Sequence, residues 1–171
     1  MDYKRYIRVQ EDFPKPGISF KDISPLLADQ QAFASAIDEL KEVVEEWQPD
    51  VIIGPEARGF VVGVPLAYAL KKGFVMARKK GKLPGDTIAK SYGLEYGSDT
   101  IEVPTFALKK GLRVVLADDL LATGGTLAAI ESMLKENGCE VVGIVTLVEL
   151  TDLGGTKLLS SPFFSLVKYP H

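Results

Sequence analysis

Arg113 to Ala129 reads RVVLADDLLATGGTLAA: an apolar run, two adjacent acids, a Thr/Gly turn and the start of a helical pattern. Val114 to Ala117 shows no polar alternation, which suits a parallel strand covered on both faces. Asp118 and Asp119 follow at its carboxyl end, the edge of an open α/β sheet where ligands bind. Two unpaired carboxylates there cost stability unless something uses them, and a sugar diol is a suitable user. Ala122-Thr123-Gly124-Gly125-Thr126 then supplies glycines that turn backbone N–H groups inward, two hydroxyls, and the positive end of a helix starting near Thr126. Those are the parts of a phosphate cradle. The turn alone would be weak, since a Gly-rich turn occurs in every βαβ unit; the acid pair before it makes the pattern specific. No G-x-x-x-x-G-K-[ST] occurs in the chain, and the Gly-Gly pair does not fit G-x-G-x-x-G.

Working outward, strand-like runs at Val51–Gly54, Phe74–Ala77, Val141–Val148 and Phe163–Val167 alternate with helical patterns at Asp29–Trp47, Gly59–Lys71 and Thr126–Asn137. Gly138 stands at the C′ position of the last helix. This alternation predicts an α/β fold, a parallel sheet core flanked by helices. Two stretches depart from it. Phe13 to Pro25 is too proline-rich for regular structure and is expected to be an ordered loop over the sheet. Between Lys79 and Lys110, Ser91–Tyr96 and Thr100–Pro104 around Gly97-Ser98-Asp99 predict a hairpin projecting from the core.

The chain has 171 residues, 46% hydrophobic and 25% charged, as expected of one soluble globular domain. A net charge of −3 argues against a broad nucleic-acid footprint. With a single Cys139 no internal disulfide can form, which favours a reducing compartment. Met1 leads into Asp2, Lys4, Arg5 and Arg8 without an apolar signal segment, and no run approaches the ~18 apolar residues of a membrane span. A cytoplasmic location is expected, without a membrane or nucleic-acid partner.

Two further clusters carry chemistry. Val51 to Phe60, VIIGPEARGF, is another strand, turn and helix start, with Arg58 at the turn. Only five of the 20 cationic residues are arginines, so Arg58 in a Gly-flanked loop is a candidate fork for phosphate oxygens, the alternative being a surface arginine at a helix start. Arg78-Lys79-Lys80-Gly81-Lys82 places four cations in five residues. Such a run is usually a solvated face, but cations beside a departing anion would stabilise its developing charge.

The acid-pair stretch resembles the signature of the type I phosphoribosyltransferases. Within them, the cation run followed by Ser91-Tyr92-Gly93-Leu94-Glu95-Tyr96-Gly97 and the N-terminal FPKPGISFKDISPLL resemble the adenine branch. The resemblance implies a type I phosphoribosyltransferase fold over 1–171, with a small N-terminal hood (1–30) that binds the base and a flexible hairpin catalytic loop (79–107). It implies transfer of phosphoribosyl from phosphoribosyl pyrophosphate to adenine, giving AMP and pyrophosphate in purine salvage. Asp118 and Asp119 would serve the ribose, and Ala122, Thr123, Gly124, Gly125 and Thr126 the 5′-phosphate. Arg58, Lys82 and, across a homodimer interface, Arg78 and Lys79 would hold pyrophosphate. Adenine would stack between Phe20 and Leu120, its edge read by the backbone near Ser19 and Lys21. Glu95 would handle the purine proton and Tyr96 close the loop; Glu95 as a loop-surface acid is the alternative. Family members carry a non-proline cis peptide that falls at Glu56-Ala57. Mg²⁺ would enter on phosphoribosyl pyrophosphate, with no dedicated metal site, since one Cys and one His offer no zinc pattern. Lys21 stands where Arg is frequent, and Glu56-Ala57 where Asp-Ser is common. Transfer to guanine, hypoxanthine or xanthine, and a non-catalytic sensor of phosphoribosyl pyrophosphate, remain open at this point.

Overall fold

The computed structural model of the chain describes residues 1–93 and 97–170. A short 3₁₀ turn at Tyr3–Tyr6 leads to β1 (Arg8–Gln10), which pairs antiparallel with β2 (Phe20–Asp22). Thus the proline-rich segment is not loop throughout: it ends in β2 and in α1 (Ser24–Ala28), which starts with Pro25 in its first turn, where its missing N–H costs nothing. Phe13-Pro14 is cis.

Next come α2 (Gln30–Trp47), β3 (Val51–Pro55), α3 (Phe60–Leu70), β4 (Gly73–Lys79), β5 (Thr87–Gly93) and β6 (Ser98–Pro104). The chain continues through β7 (Arg113–Leu121), α4 (Gly125–Glu136), β8 (Glu140–Leu150) and β9 (Phe163–Tyr169). Seven strands form one sheet in the order β5-β6-β4-β3-β7-β8-β9. β4, β3, β7, β8 and β9 are parallel, while β6 runs antiparallel to β4 and β5. The hairpin begins earlier than its apolar residues suggest, at Thr87, and its base joins the sheet through Arg78↔Glu102 and Lys79↔Ile101. Its outer strand is tied to α4 by Lys90 Nζ on Glu136 Oε1 at 2.6 Å.

Alternate residues of the central strands explain their unbroken apolar character. Ile52, Val115 and Val145 pack with α2 and α3 on one face, and Ile53, Leu116 and Ile144 with α4 on the other. A sheet covered on both sides has no polar face to show in its sequence. Asp29 caps α2 by accepting the Ala32 N–H at 2.9 Å. α4 is fixed by Glu131, a buried carboxylate that accepts the N–H groups of Ser160 and Ser161 and the Ser161 hydroxyl ahead of β9.

At the far end of α2, the Trp47 indole packs against Gly143 of β8, so that an added Cβ would come within 2.1 Å of Trp47 Cε3. Gly143→Ala therefore forces Trp47 out of place and is expected to cost about 1–3 kcal/mol, the usual range for overpacking. Urea melts read this loss; an unchanged midpoint would show that the indole moves freely.

Candidate active site

The acid pair sits inside β7 rather than after it, because the strand runs on to Leu121 in register with β8 (Asp118↔Thr146, Leu120↔Val148). Asp119 is buried and Asp118 half-buried, so the acids belong to the edge of the core. The sequence expectation placed them beyond the strand. Asp118 Oδ1 accepts the Asp119 N–H at 2.8 Å. Arg58 Nε is ion-paired with Asp119 Oδ2 at 2.5 Å, and among the described residues that buried oxygen has no hydrogen-bond partner. Burial first, then the neighbouring Asp119 carboxylate, pushes the Asp118 carboxyl well above its ordinary range; Arg58 pulls only partly the other way. Such a pair can accept hydroxyl donors at the acceptor positions that its ion pair with Arg58 leaves open.

β7 feeds the turn Ala122–Gly124. Gly124 has φ 88° and precedes α4, whose first turn has no side-chain cap and no acid. Its free N–H groups and dipole face outward for an anion. Gly124 and Gly155 touch backbone to backbone: a Cβ on Gly124 would meet the Gly155 carbonyl at 2.7 Å, and one on Gly155 would collide with the Ala122 carbonyl. The loop after β8 thus buttresses the turn. Thr126 Oγ1 donates to the Tyr92 hydroxyl of β5 at 3.0 Å. Tyr92, Asp118, Leu120 and the turn line a cleft of about 460 Å³.

A second hollow of about 220 Å³ shares Asp118, Leu120 and Thr126 with the first and adds Glu56, Arg58 and Asp119. Its floor is the β3–α3 turn, where the Glu56-Ala57 peptide is cis. Gly59 lets this turn approach the acids, since a Cβ there would meet Asp118 Oδ1 at 2.9 Å. Glu56 accepts from Arg78 Nε at 3.2 Å, the Lys79 N–H at 2.8 Å and Lys82 Nζ at 3.2 Å. Burial raises the Glu56 carboxyl, but these donors outweigh it and the net shift is downward. The Lys79 ammonium itself pairs with Asp99 at 3.5 Å.

Arg58 also lines a third hollow of about 370 Å³ with Phe13, Phe20, Ile23 and Leu27. Its guanidinium carbon stands 5.3 Å from the Phe20 ring centre, and Phe13 packs edge-on against Phe20 at 5.2 Å. Lys21 is buried and turns away: its Nζ donates to Ser19 Oγ at 2.7 Å and the Ser19 carbonyl at 3.2 Å, and faces Tyr169 at 5.4 Å.

The sheet edge therefore gathers Arg58, Asp118, Asp119, Leu120 and the 122–126 turn into adjoining hollows, with Phe20 reached through Arg58 and Arg78 and Lys82 joined to them only through Glu56. Leu120 lines the two hollows around the acids and not the one at Phe20. Glu95 and Tyr96 lie outside the described residues. Sequence reasoning missed three contributors. Tyr92 is visible only once β5 is laid on α4. Glu56 is a lone acid until Arg78 and Lys82 are brought to it. The pair Gly154-Gly155, just past the carboxyl end of an apolar strand, was a legible sign of close backbone packing.

The sequence pattern of the phosphoribosyl transferase domain matches residues 23–168. An adenine phosphoribosyltransferase from Desulfitobacterium hafniense (strain Y51) is 54% identical over 170 residues, 99% of this chain and 98% of its own. Among solved structures, the adenine phosphoribosyltransferase of Thermoanaerobacter pseudethanolicus superposes with a TM-score of 0.94 at 48% identity, covering 98% of both chains. The Saccharomyces cerevisiae enzyme, complexed with adenine and an imino-altritol bisphosphate, superposes at 0.91 with 37% identity over 96% of each chain. Sequence and architecture agree along nearly the whole length, and the chain belongs to the adenine phosphoribosyltransferase family.

Proposed function

We propose that this chain transfers the 5-phosphoribosyl group of phosphoribosyl pyrophosphate to N9 of adenine, forming AMP and releasing pyrophosphate in purine salvage. The observation that carries the reading is the row of three adjoining hollows: an anion cradle at the α4 N-terminus, a buried acid pair, and an aromatic hollow, with Arg58 shared by the last two. The family relatives, one of them complexed with adenine, support the same choice of base.

In this reading the 122–126 turn holds the 5′-phosphate and Asp118 and Asp119 accept from the ribose hydroxyls, fixing C1. Adenine lies in the hood formed by residues 1–30, against Phe20 and towards Leu120, its edge read by backbone at Ser19 and Lys21. The N9 lone pair attacks C1 as the C1–O bond breaks, and the electron pair leaves on pyrophosphate with inversion. Arg58, Lys82 and, across a homodimer interface, Arg78 and Lys79 oppose the charge that accumulates there, which is where electrostatic stabilisation acts most strongly. Glu95 takes the purine proton while Tyr96 and the rest of the 79–107 loop cover the reactants and exclude water. Mg²⁺, a hard cation that favours oxygen ligands, would arrive on the oxygens of phosphoribosyl pyrophosphate, with the carboxylates of Asp118 and Asp119 facing it across the ribose. When bound, it neutralises phosphate charge.

A homodimer completes the proposal. Val61, Val64 and Tyr68 form an exposed stripe along α3, with Tyr68 85% exposed, and Met76 on β4 is 43% exposed. Met76 shares a strand face with Arg78 by alternation, so a second copy seated there would lie beside the pyrophosphate cations. Among the described residues no helix is long and apolar enough to cross a membrane, and a single buried Cys139 fits a cytoplasmic setting.

The central test is pyrophosphate release from phosphoribosyl pyrophosphate and Mg²⁺ with adenine, guanine, hypoxanthine and xanthine offered separately. AMP from adenine alone is expected; release with another base overturns the base assignment, and binding without release points to a sensor. Asp118→Asn with Asp119→Asn should lower turnover by roughly 100-fold or more, the scale of a misplaced substrate. Stability should move the other way. A folded-state pKa raised above the unfolded value means stability is lost as pH rises, so D118N should melt higher than the parent at pH 7, with the gap closing towards pH 4. In light scattering, V64E with Y68E should give a monomer; an unchanged mass would place any interface elsewhere.

A further inference from the structure

Glu56 is an acid in the middle of the cations that the proposed reaction needs. Its side chain is 10% exposed, and it is the point on which residues from one strand end and the loop beyond it converge. Oε1 takes the Arg78 Nε and the Lys79 N–H, and Oε2 takes Lys82 Nζ. Arg78 engages through Nε, which leaves both terminal nitrogens of its fork for another acceptor, and Lys82 has spent one of three donors. Left alone, these long side chains would repel each other and sample many rotamers, since Lys82 is 51% exposed.

We propose that Glu56 is a positioning residue for the leaving group: it gathers Arg78 and Lys82 and presents their remaining donors to pyrophosphate, those of Lys82 within its own site and those of Arg78 across the homodimer interface. The proposal rests on the phosphoribosyl-transfer reading and adds to it the group that organises its cations. A simple charge count predicts the opposite, because a carboxylate among cations weakens their pull on an anion. Geometry decides the sign. In a Glu56→Gln side chain the oxygen keeps the Lys79 N–H, but the amide nitrogen then meets Lys82 donor to donor, and Lys82 is released. The amide also cannot hold an arginine with the strength of a charged acceptor.

The experiment titrates inorganic pyrophosphate with Mg²⁺ into the full chain, E56Q, K82M and the double variant by calorimetry, alongside steady-state kinetics and thermal melts. E56Q should bind pyrophosphate about tenfold more weakly, the size of one lost charge-assisted hydrogen bond. The KM for phosphoribosyl pyrophosphate should rise with it, while the KM for adenine and the melting temperature stay near the parent's. The double variant should lose less than the sum of the two single losses, since E56Q and K82M both remove the Lys82 contact. Binding by E56Q as tight as the parent's, or tighter, overturns the proposal and makes Glu56 a mere counter-charge; so do losses that add in the double variant. If E56Q does not fold, E56D serves: it keeps the charge but is too short to span Lys79 and Lys82, so parent-like affinity there also overturns it. A parent chain that takes no pyrophosphate at all overturns both the proposal and the reading beneath it.

Discussion

Holding two adjacent carboxylates at the end of a buried strand is the constraint on which the rest of this molecule depends. Asp118 and Asp119 share one nearby cation, and one of their oxygens has no hydrogen-bond partner. Buried charge of one sign works against folding, and it persists only where the surrounding structure outweighs it. Here the surroundings are the two apolar clusters on either face of β3, β7 and β8, which fix the strand that carries the acids. The site is placed where the core is best able to bear it.

Around that pair, two anion sites are built by different means. The α4 side uses backbone: a left-handed Gly124, an uncapped helix start, and a second glycine loop pressed against the first. With no side chain to rearrange, such a cradle is fixed before the ligand arrives. The β3–α3 side uses long cationic side chains, which must be held to be effective, and Glu56 with its three donors does the holding. In the proposed reaction, charge that stays put would be met by rigid amides and charge that develops by cations.

Much of this was legible in the sequence, and the parts that were not share a reason. The central strands and α2, α3 and α4 follow from unbroken apolar runs and 3.6-residue periodicity, because burial on both faces leaves a strong compositional trace. The Arg113–Ala129 stretch showed the acids, the cradle and the helix start together because all three are consecutive in the chain. The end of β7 was placed short at Ala117, since two acids look like a strand terminus until pairing with β8 carries the strand through them. β1 and the start of β5 at Thr87 were missed because their residues are mostly exposed or half-buried and show no apolar pattern. Glu56 and Tyr92 act through partners 22 or more residues away, and no local pattern announces a contact of that kind.

The direct pairing of β3 with β7, with Ile53 beside Leu116, sets the separation between the turn that follows each strand. One turn carries Arg58 and Glu56, the other the Gly124 cradle. The sheet thus works as a caliper whose jaws are two loops and whose opening is fixed by hydrogen bonds between neighbouring strands. A ligand is gauged by the distance between its two anionic ends before any detail of its sugar is felt. In the proposed reading, a molecule bearing only one phosphate would fill one jaw, and a ligand charged at both ends would span the gap across the acids.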